Sequence, residues 1–473
     1  MAHSLRRAAH EPAGSFRNAA GTTFTVYSTE KATWQRIERA GDVFDVRIDY
    51  VIGSGTHASG YLARIGDHLF QSPISYYTKR HSYDLAPGFE KLSDADFTRP
   101  ATEECLLCHS GKPRHIAGTL NSYESDAFAQ EEISCERCHG PAEQHLKRPV
   151  PGSIVNPSKL PGIARDSTCE QCHLSGDVRI LNPGKRFADF RPGQQLEEVF
   201  TVYTDVMPPD GPPGPFKVIS HAEQLRASSC ARNSNGKLWC GTCHDPHKKP
   251  ANASEYYAAR CRSCHAGQLP RTHPLASGNC IACHMPRRDA FDGGHTAFTD
   301  HRITRRPQPA SAFPAPSELA AWREPDPTLR TRNRGIAFVA AGLQRGSPAW
   351  IVRGYRLLTE IQAAFPNDID ILNAFGGALL AGNQPREAKF AFERALRLDA
   401  ANPVAEENAG RAELACGNVE AATQHLERAL DLDPLLLSAA EMLKNIYAKE
   451  NDSAKQAALA ERIRRGMKKG SAK

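Results

Sequence analysis

Six times between Cys105 and His284 the chain reads Cys-x-x-Cys-His: Cys105/Cys108/His109, Cys135/Cys138/His139, Cys169/Cys172/His173, Cys240/Cys243/His244, Cys261/Cys264/His265 and Cys280/Cys283/His284. Two thiols three residues apart, followed directly by an imidazole, are what covalent haem attachment requires. The thiols add to the two vinyl groups, and the imidazole binds the iron as proximal ligand. The motifs use all but Cys230 and Cys416 of the 14 cysteines. A disulfide framework has no reason to place histidine after every pair. Zinc is the chemical rival, because 17 residues separate Cys243 from Cys261 and 15 separate Cys264 from Cys280, which suits a zinc ribbon. Zinc, however, asks for no histidine after each second cysteine. The expected cofactor is six covalently attached c-type haems.

Each iron then takes a sixth ligand. Two imidazoles saturate it for electron transfer, whereas an open position binds substrate. Of the 19 histidines, six are proximal, His425 falls in a repeat, and His3 and His10 lie near the terminus. His57, His68, His81, His115, His145, His221, His247, His273, His295 and His301 remain. His145, six residues after His139, and His247, three after His244, are held close to one haem and can reach the iron of a neighbour. His57 stands in Gly53-Ser-Gly-Thr-His-Ala-Ser-Gly60, where glycines would let backbone approach a porphyrin. His295 and His301 follow the last motif. The expected iron ligands are therefore the six motif histidines together with His57, His145, His247, His295 and His301. Met207 and Met285 are the methionines of this region, and Met285 directly follows a proximal histidine, so bis-histidine ligation is expected over His/Met. Cys230 reads as a structural thiol, and no residue is singled out as catalytic.

At 473 residues the chain is long enough for two or three cores. Its formal charge of +6 comes from scattered basic residues without interleaved aromatics, which excludes a nucleic-acid surface. Six ferric haems at roughly −1 each would about cancel that surplus. No apolar run reaches the about 18 residues of a membrane span. Met1–Ala20 carries Arg6 and Arg7 but no apolar segment of a secretory signal.

Residues 1–100 read as a small β-rich unit, with strands at 23–27, 43–52, 61–65 and 69–77 punctuated by Gly53, Gly55, Gly60 and Gly66. Residues 101–303 show poor periodicity and thin apolar content, so haem plates should supply the core there, amid short helices and irregular loops. Pro208, Pro209, Pro212, Pro213 and Pro215 mark one long connection. Residues 304–330, with Pro307, Pro309, Pro314, Pro316, Pro325 and Pro327, have linker composition. From 331 to 473 the text turns helical and repeats: Glu393-Arg-Ala-Leu-Arg-Leu-Asp399 returns as Glu427-Arg-Ala-Leu-Asp-Leu-Asp433, an offset of 34 residues. That period and Gly410, Ala422, Ala429 and Pro434 resemble the tetratricopeptide repeat. The earlier copy, with Ala388, Phe392 and Ala395, reads as carrying one extra residue near Gly382. The expected fold is mainly α, with a small N-terminal β-rich unit, an irregular haem-packed middle and an α-helical solenoid of three to four helix pairs.

Taken together, these segments resemble bacterial multihaem cytochromes that join a region similar to the cytochrome c-552/c-554 group to C-terminal tetratricopeptide repeats. The resemblance rests on Ile48-Asp-Tyr-Val-Ile-Gly-Ser-Gly-Thr-His57, Cys135-Glu-Arg-Cys-His-Gly-Pro141 with His145, Ile154-Val-Asn-Pro157, Cys243-His-Asp-Pro-His247 and Thr299-Asp-His-Arg-Ile303. Similar proteins carry a signal peptide and one further Cys-x-x-Cys-His ahead of a stretch like Met1–Ser4. The resemblance thus implies a reading frame extending upstream of Met1. It also implies a periplasmic or extracellular protein that relays electrons through packed haems and docks redox partner proteins by its repeats. The alternative is a multihaem oxidoreductase with one open haem, acting on a small nitrogen or sulfur compound. Multihaem nitrite reductases mark that haem with Cys-x-x-Cys-Lys, a motif this chain lacks.

Overall fold

The computed structural model describes residues 4–92, 95–206, 216–265, 273, 279–290, 292–305 and 318–468. Met207, the prolines from Pro208 to Pro215, and Pro307, Pro309, Pro314 and Pro316 lie outside the described residues.

The N-terminal unit is two antiparallel sheets around one core. Gly14–Arg17, Thr23–Ser28, Thr33–Arg39 and Asp42–Ile48 form a meander. Its tight turn at Ala40 and Gly41, at φ 50° and 93°, has the left-handed pair that hairpin twist requires. The second sheet runs from Leu5–Arg7 through Tyr50–Ile52, Ala58–Ile65 and His68–Gln71 to Arg99–Pro100, with Ile74–Tyr77 and Ser82–Leu85 branching from it. Alternation along each strand turns Phe24, Val26 and Ile37 of one sheet toward Tyr61, Ala63 and Phe70 of the other.

Strand content does not stop at residue 100. Lys112–His115 pairs with Tyr123–Gln130, Val178–Leu181 with Phe200–Val206, and Arg287–Asp289 with Ala297–Thr299. The middle region is thus less irregular than its composition suggested. Part of the expected linker is also built in: Glu318–Ala321 adds a third strand beside Phe200–Val206, and a helix begins at Pro327. Backbone pairing has overridden proline content there.

Eight helices follow among the described residues, in four pairs: Pro327–Arg345 with Pro348–Ile361, Ile369–Ala381 with Pro385–Leu398, Pro403–Ala415 with Val419–Leu432, and Leu437–Lys449 with Ser453–Lys468. From Ile369 onward every helix start recurs after 34 residues. The turns recur as well, with Asn383, Gly417 and Asn451 at φ 56°, 83° and 55°. Hence no extra residue sits near Gly382: Asn383 occupies the left-handed position that Gly417 takes one repeat later.

This helical array is anchored to the rest of the chain at both ends. At the first helix, the fully buried Arg332 donates to both oxygens of Asp368 at 2.7 and 3.0 Å, to Asp370 at 2.6 Å and to Leu181 O at 2.7 Å. Beside it Asn333 donates to Asn182 and Thr201. At the far end Leu435 and Leu437 pack into the core of the N-terminal sheets.

Candidate haem-attachment sites

Cys-x-x-Cys-His is also a helical spacing. Residues i, i+3 and i+4 share one face of an α-helix, and each motif lies at or next to the C-terminal end of one. The helices are Glu103–His109, Glu136–His139, Gly162–His173, Cys240–Cys243, Ala253–His265 and Cys280–His284. After His139 the chain leaves the helix through Gly140 at φ 73°. Asn279 caps the last motif helix by accepting from Ala282 N.

The surroundings are open rather than packed. None of the twelve motif cysteines is buried: Cys105, Cys135, Cys264 and Cys283 are exposed, and the others are half-buried. Cys135 and Cys283 are both exposed and lie at short helices without a buried residue. The reason is local. Cys280–His284 is five residues long, little more than one turn, and none of its residues is buried, so no core draws the thiol inward.

Between His221 and Asp300, Ala258 and Ala290 are the only buried apolar residues among those described. A stretch this long with so little core is stable only if something else fills it. Large, mostly apolar porphyrin plates fit that need, and the donor set suits them. Beside the second motif, Pro149, Val150, Ile154, Val155 and Leu160 line a cavity of about 540 Å³ that also borders His145.

Imidazoles gather in pairs. His139 and His247 have ring centres 5.9 Å apart at 26°, His284 and His273 6.0 Å apart at 17°, and His244 and His301 6.1 Å apart at 31°. An iron holding one nitrogen of each ring, with metal–nitrogen bonds of about 2 Å, would set ring centres about 6 Å apart. His221 lies between the motif histidine His173, 5.2 Å away, and His301, 4.8 Å away. Burial, with His301, His173 and His244 facing it, pushes its pKa down to about 3, which keeps the ring neutral and able to donate a lone pair.

Hydrogen bonds set which nitrogen is free. Nδ1–H of His139 donates to Val155 O at 2.7 Å, that of His284 to Thr304 O at 2.9 Å, and that of His301 to Thr299 O at 2.9 Å. A carbonyl can only accept, so in the neutral ring the proton sits on Nδ1 and Nε2 carries the lone pair. At His145 the partner is Ser153 Oγ, 2.7 Å away, whose own proton goes to Val150 O. Its Nε2 is free by the same argument.

The other selected histidines stand differently. His57 Nδ1 accepts from Arg287 Nη2 at 3.1 Å, and its ring lies 4.9 Å from that of Phe298. His295 Nε2 faces Asp84 Oδ2 at 2.9 Å. Among the described residues no second imidazole ring stacks on His109, His265, His57, His145 or His295. Two histidines outside the selected set, His221 and His273, do come beside motif histidines. His68 is occupied by Asp433. Cys230 is half-buried. No group of three or more His, Cys, Asp or Glu converges as a metal-ion site among the described residues, and no helix is long and apolar enough to cross a membrane.

Comparison with known proteins agrees in kind with this chemistry. Over 240 residues the chain is 24% identical to the multihaem cytochrome MtrA of Shewanella baltica (strain OS185), an alignment covering 46% of this chain and 58% of that protein. The chain thus spans under two thirds of the length of the relative it matches. Among solved structures, MamA is 14% identical over 31% of this chain and 81% of its own, with a TM-score of 0.26. The first tetratricopeptide domain of human RPAP3 is 19% identical over 26% of this chain and 98% of its own, with a TM-score of 0.24. No family model matches the chain.

Proposed function

We propose that this chain is an exported multihaem c-type cytochrome that relays electrons through six covalently bound haems. Cys105/Cys108, Cys135/Cys138, Cys169/Cys172, Cys240/Cys243, Cys261/Cys264 and Cys280/Cys283 form the thioethers, and His109, His139, His173, His244, His265 and His284 are the proximal ligands. Three imidazole pairs carry this reading: each joins one motif histidine to one histidine from elsewhere at the separation an iron would impose. In it His247, His301 and His273 are the sixth ligands of the second, fourth and last motifs, and His221 serves the third. His57, His145 and His295 are the further candidates for the irons of His109 and His265. When bound, the haems supply one-electron chemistry. The protein's own part is to fix tautomers through Val155, Thr299 and Thr304.

Thioether attachment takes place outside the cytoplasm, so the proposed location is periplasmic or extracellular. The surface of the helical repeats that is not spent on the chain itself is the proposed docking site for redox partner proteins. A catalytic role on a small nitrogen or sulfur compound is favoured only by the lack of a second imidazole at His109 and His265.

One experiment separates these readings. The chain is produced with haem-attachment machinery, its haem is counted by pyridine haemochrome, and the oxidised protein is examined by electron paramagnetic resonance. Six haems, all low-spin, are expected. A high-spin signal of one haem per chain would replace the relay by the catalyst, and a chain without covalent haem would end both.

A further inference from the structure

The inner residues of the first three motifs, which attachment does not use, hold one another. Arg137 of the second motif donates from Nη2 to Leu107 O of the first at 2.8 Å. Gln171 of the third donates from Nε2 to Arg137 O at 3.1 Å, and the free thiol of Cys108 donates to Gln171 O at 3.7 Å, which closes a ring of the three attachment helices. The links through Arg137 and Gln171 use no thiol hydrogen and persist when the cysteines become thioethers.

Arg179 enters the same place from the neighbouring sheet. Its side chain is only 8% exposed and stands 3.6 Å from Glu104, while Nη2 donates to Leu174 O at 2.6 Å. Phe187, Phe190 and Phe200 line the narrow cavity between the two arginines. The Nε–H groups of Arg137 and Arg179 are both buried without an acceptor. Glu104, which faces Arg179, is the one carboxylate among the residues lining this cavity, so its two guanidinium charges are not matched one to one. That excess is hard to explain as structural stabilisation, because a buried charge without a full complement of partners is costly.

We propose that Arg137 and Arg179 raise the reduction potentials of the haems borne by the first and third motifs, making them the high-potential end of the haem array. The proposal rests on the haem reading above. Reduction of ferric to ferrous iron adds one electron and lowers the local positive charge, so a fixed cation nearby favours the reduced form. A low local dielectric strengthens the effect. In a c-type haem the thioether bonds and the propionates leave from opposite sides of the ring. Charges placed at the thiols are thus not spent on propionates.

The test is a potentiometric titration of the haem-loaded protein with dithionite as reductant, followed by visible absorbance after haem counting. Arg137→Gln and Arg179→Gln are each expected to move a subset of the transitions to more negative potential and leave the rest in place, with haem content unchanged. Arg179→Lys keeps the charge and is expected to hold the potentials near those of the parent. No shift in the Gln variants, an equal shift of every transition, or a shift in Arg179→Lys as large as in Arg179→Gln would overturn the proposal. Should Arg137→Gln fail to take up haem, Arg179→Gln carries the test, since Arg179 is outside the ring of motif contacts. A parent chain without haem would overturn the haem reading instead.

Discussion

His68 Nε2 lies 2.5 Å from Asp433 Oδ1, across 365 residues of sequence. Both side chains are buried, and Ser122 Oγ is 2.9 Å from the same nitrogen. Asp433 closes a repeat helix, and His68 opens a strand of the N-terminal sheet. The pair therefore fastens the last repeats to the first unit of the chain. His68→Leu removes one buried hydrogen-bond partner of Asp433 and leaves Leu435 N as a donor to Oδ1, a loss that typically costs about 1–3 kcal/mol. The expected result is a lower unfolding temperature, together with faster amide exchange in the helix Leu437–Lys449 than in Ile369–Ala381. Uniform exchange across both helices would show that the pair does not hold this end.

The other end makes a stronger case. Arg332 has no exposed side-chain surface and meets two aspartates, one of which, Asp368, also caps its own helix by accepting from Ile371 N. Arg332→Ala removes a cation that two carboxylates share, and its expected cost is about 3–5 kcal/mol. Arg332→Lys recovers only part of it, because an ammonium cannot bind Asp368 with two parallel hydrogen bonds. Denaturant unfolding of the three proteins measures this ordering. Equal stability of the Lys variant and the parent would refute the role given to the fork.

These two contacts also mark where sequence reading stops. The Cys-x-x-Cys-His motifs and the 34-residue recurrence were legible because they are local: a spacing is itself the geometry of a helical turn, and a period is itself a stack. What surrounds a motif is not local, and the pairing of His139 with His247 or of His284 with His273 could not be read from the residues of the motif helices. The supposed extra residue near Gly382 arose from taking glycine as the turn residue, whereas asparagine at 383 adopts the same left-handed backbone. His68 was counted as a possible iron ligand, since nothing within a few residues of it announces Asp433. His273 was counted with it but not selected, for the same reason. Its neighbour His284 is supplied by tertiary folding alone, and a histidine in a loop has no local signature that distinguishes a ligand.

The repeat domain should respond to acid through Glu413. Its side chain is 3% exposed. Burial works against its charge, but Lys389 Nζ at 2.6 Å and Asn418 Nδ2 at 2.7 Å overcome that and hold the carboxyl below its usual range. A carboxyl with a depressed folded pKa stabilises fully above its unfolded value of about 4.3. That contribution is lost as pH falls through the lower folded value. Glu413→Gln is expected to cost about 1–2 kcal/mol near neutral pH, and to flatten the fall in unfolding temperature on acidification below that point. A variant whose pH profile runs parallel to that of the parent would exclude Glu413 as the titrating group.

The imidazole pairs make the most direct demand on the haem-loaded protein. Thioether bonds keep a haem in place when its sixth ligand is removed, so His247→Ala, His273→Ala and His301→Ala should each leave the haem count unchanged while converting one haem from low-spin to high-spin. His301→Ala has a further expected effect. His301 stands between His221 and His244, at 4.8 and 6.1 Å, so its removal also frees the ring of His221 and should broaden the low-spin signal of the third motif. His425→Ala serves as the contrast, because its Nδ1 is 2.7 Å from Glu406 within the helical repeats, and its spectrum should match that of the parent. If His247→Ala, His273→Ala and His301→Ala all stay fully low-spin with unchanged potentials, the ring separations near 6 Å reflect packing and not a shared iron.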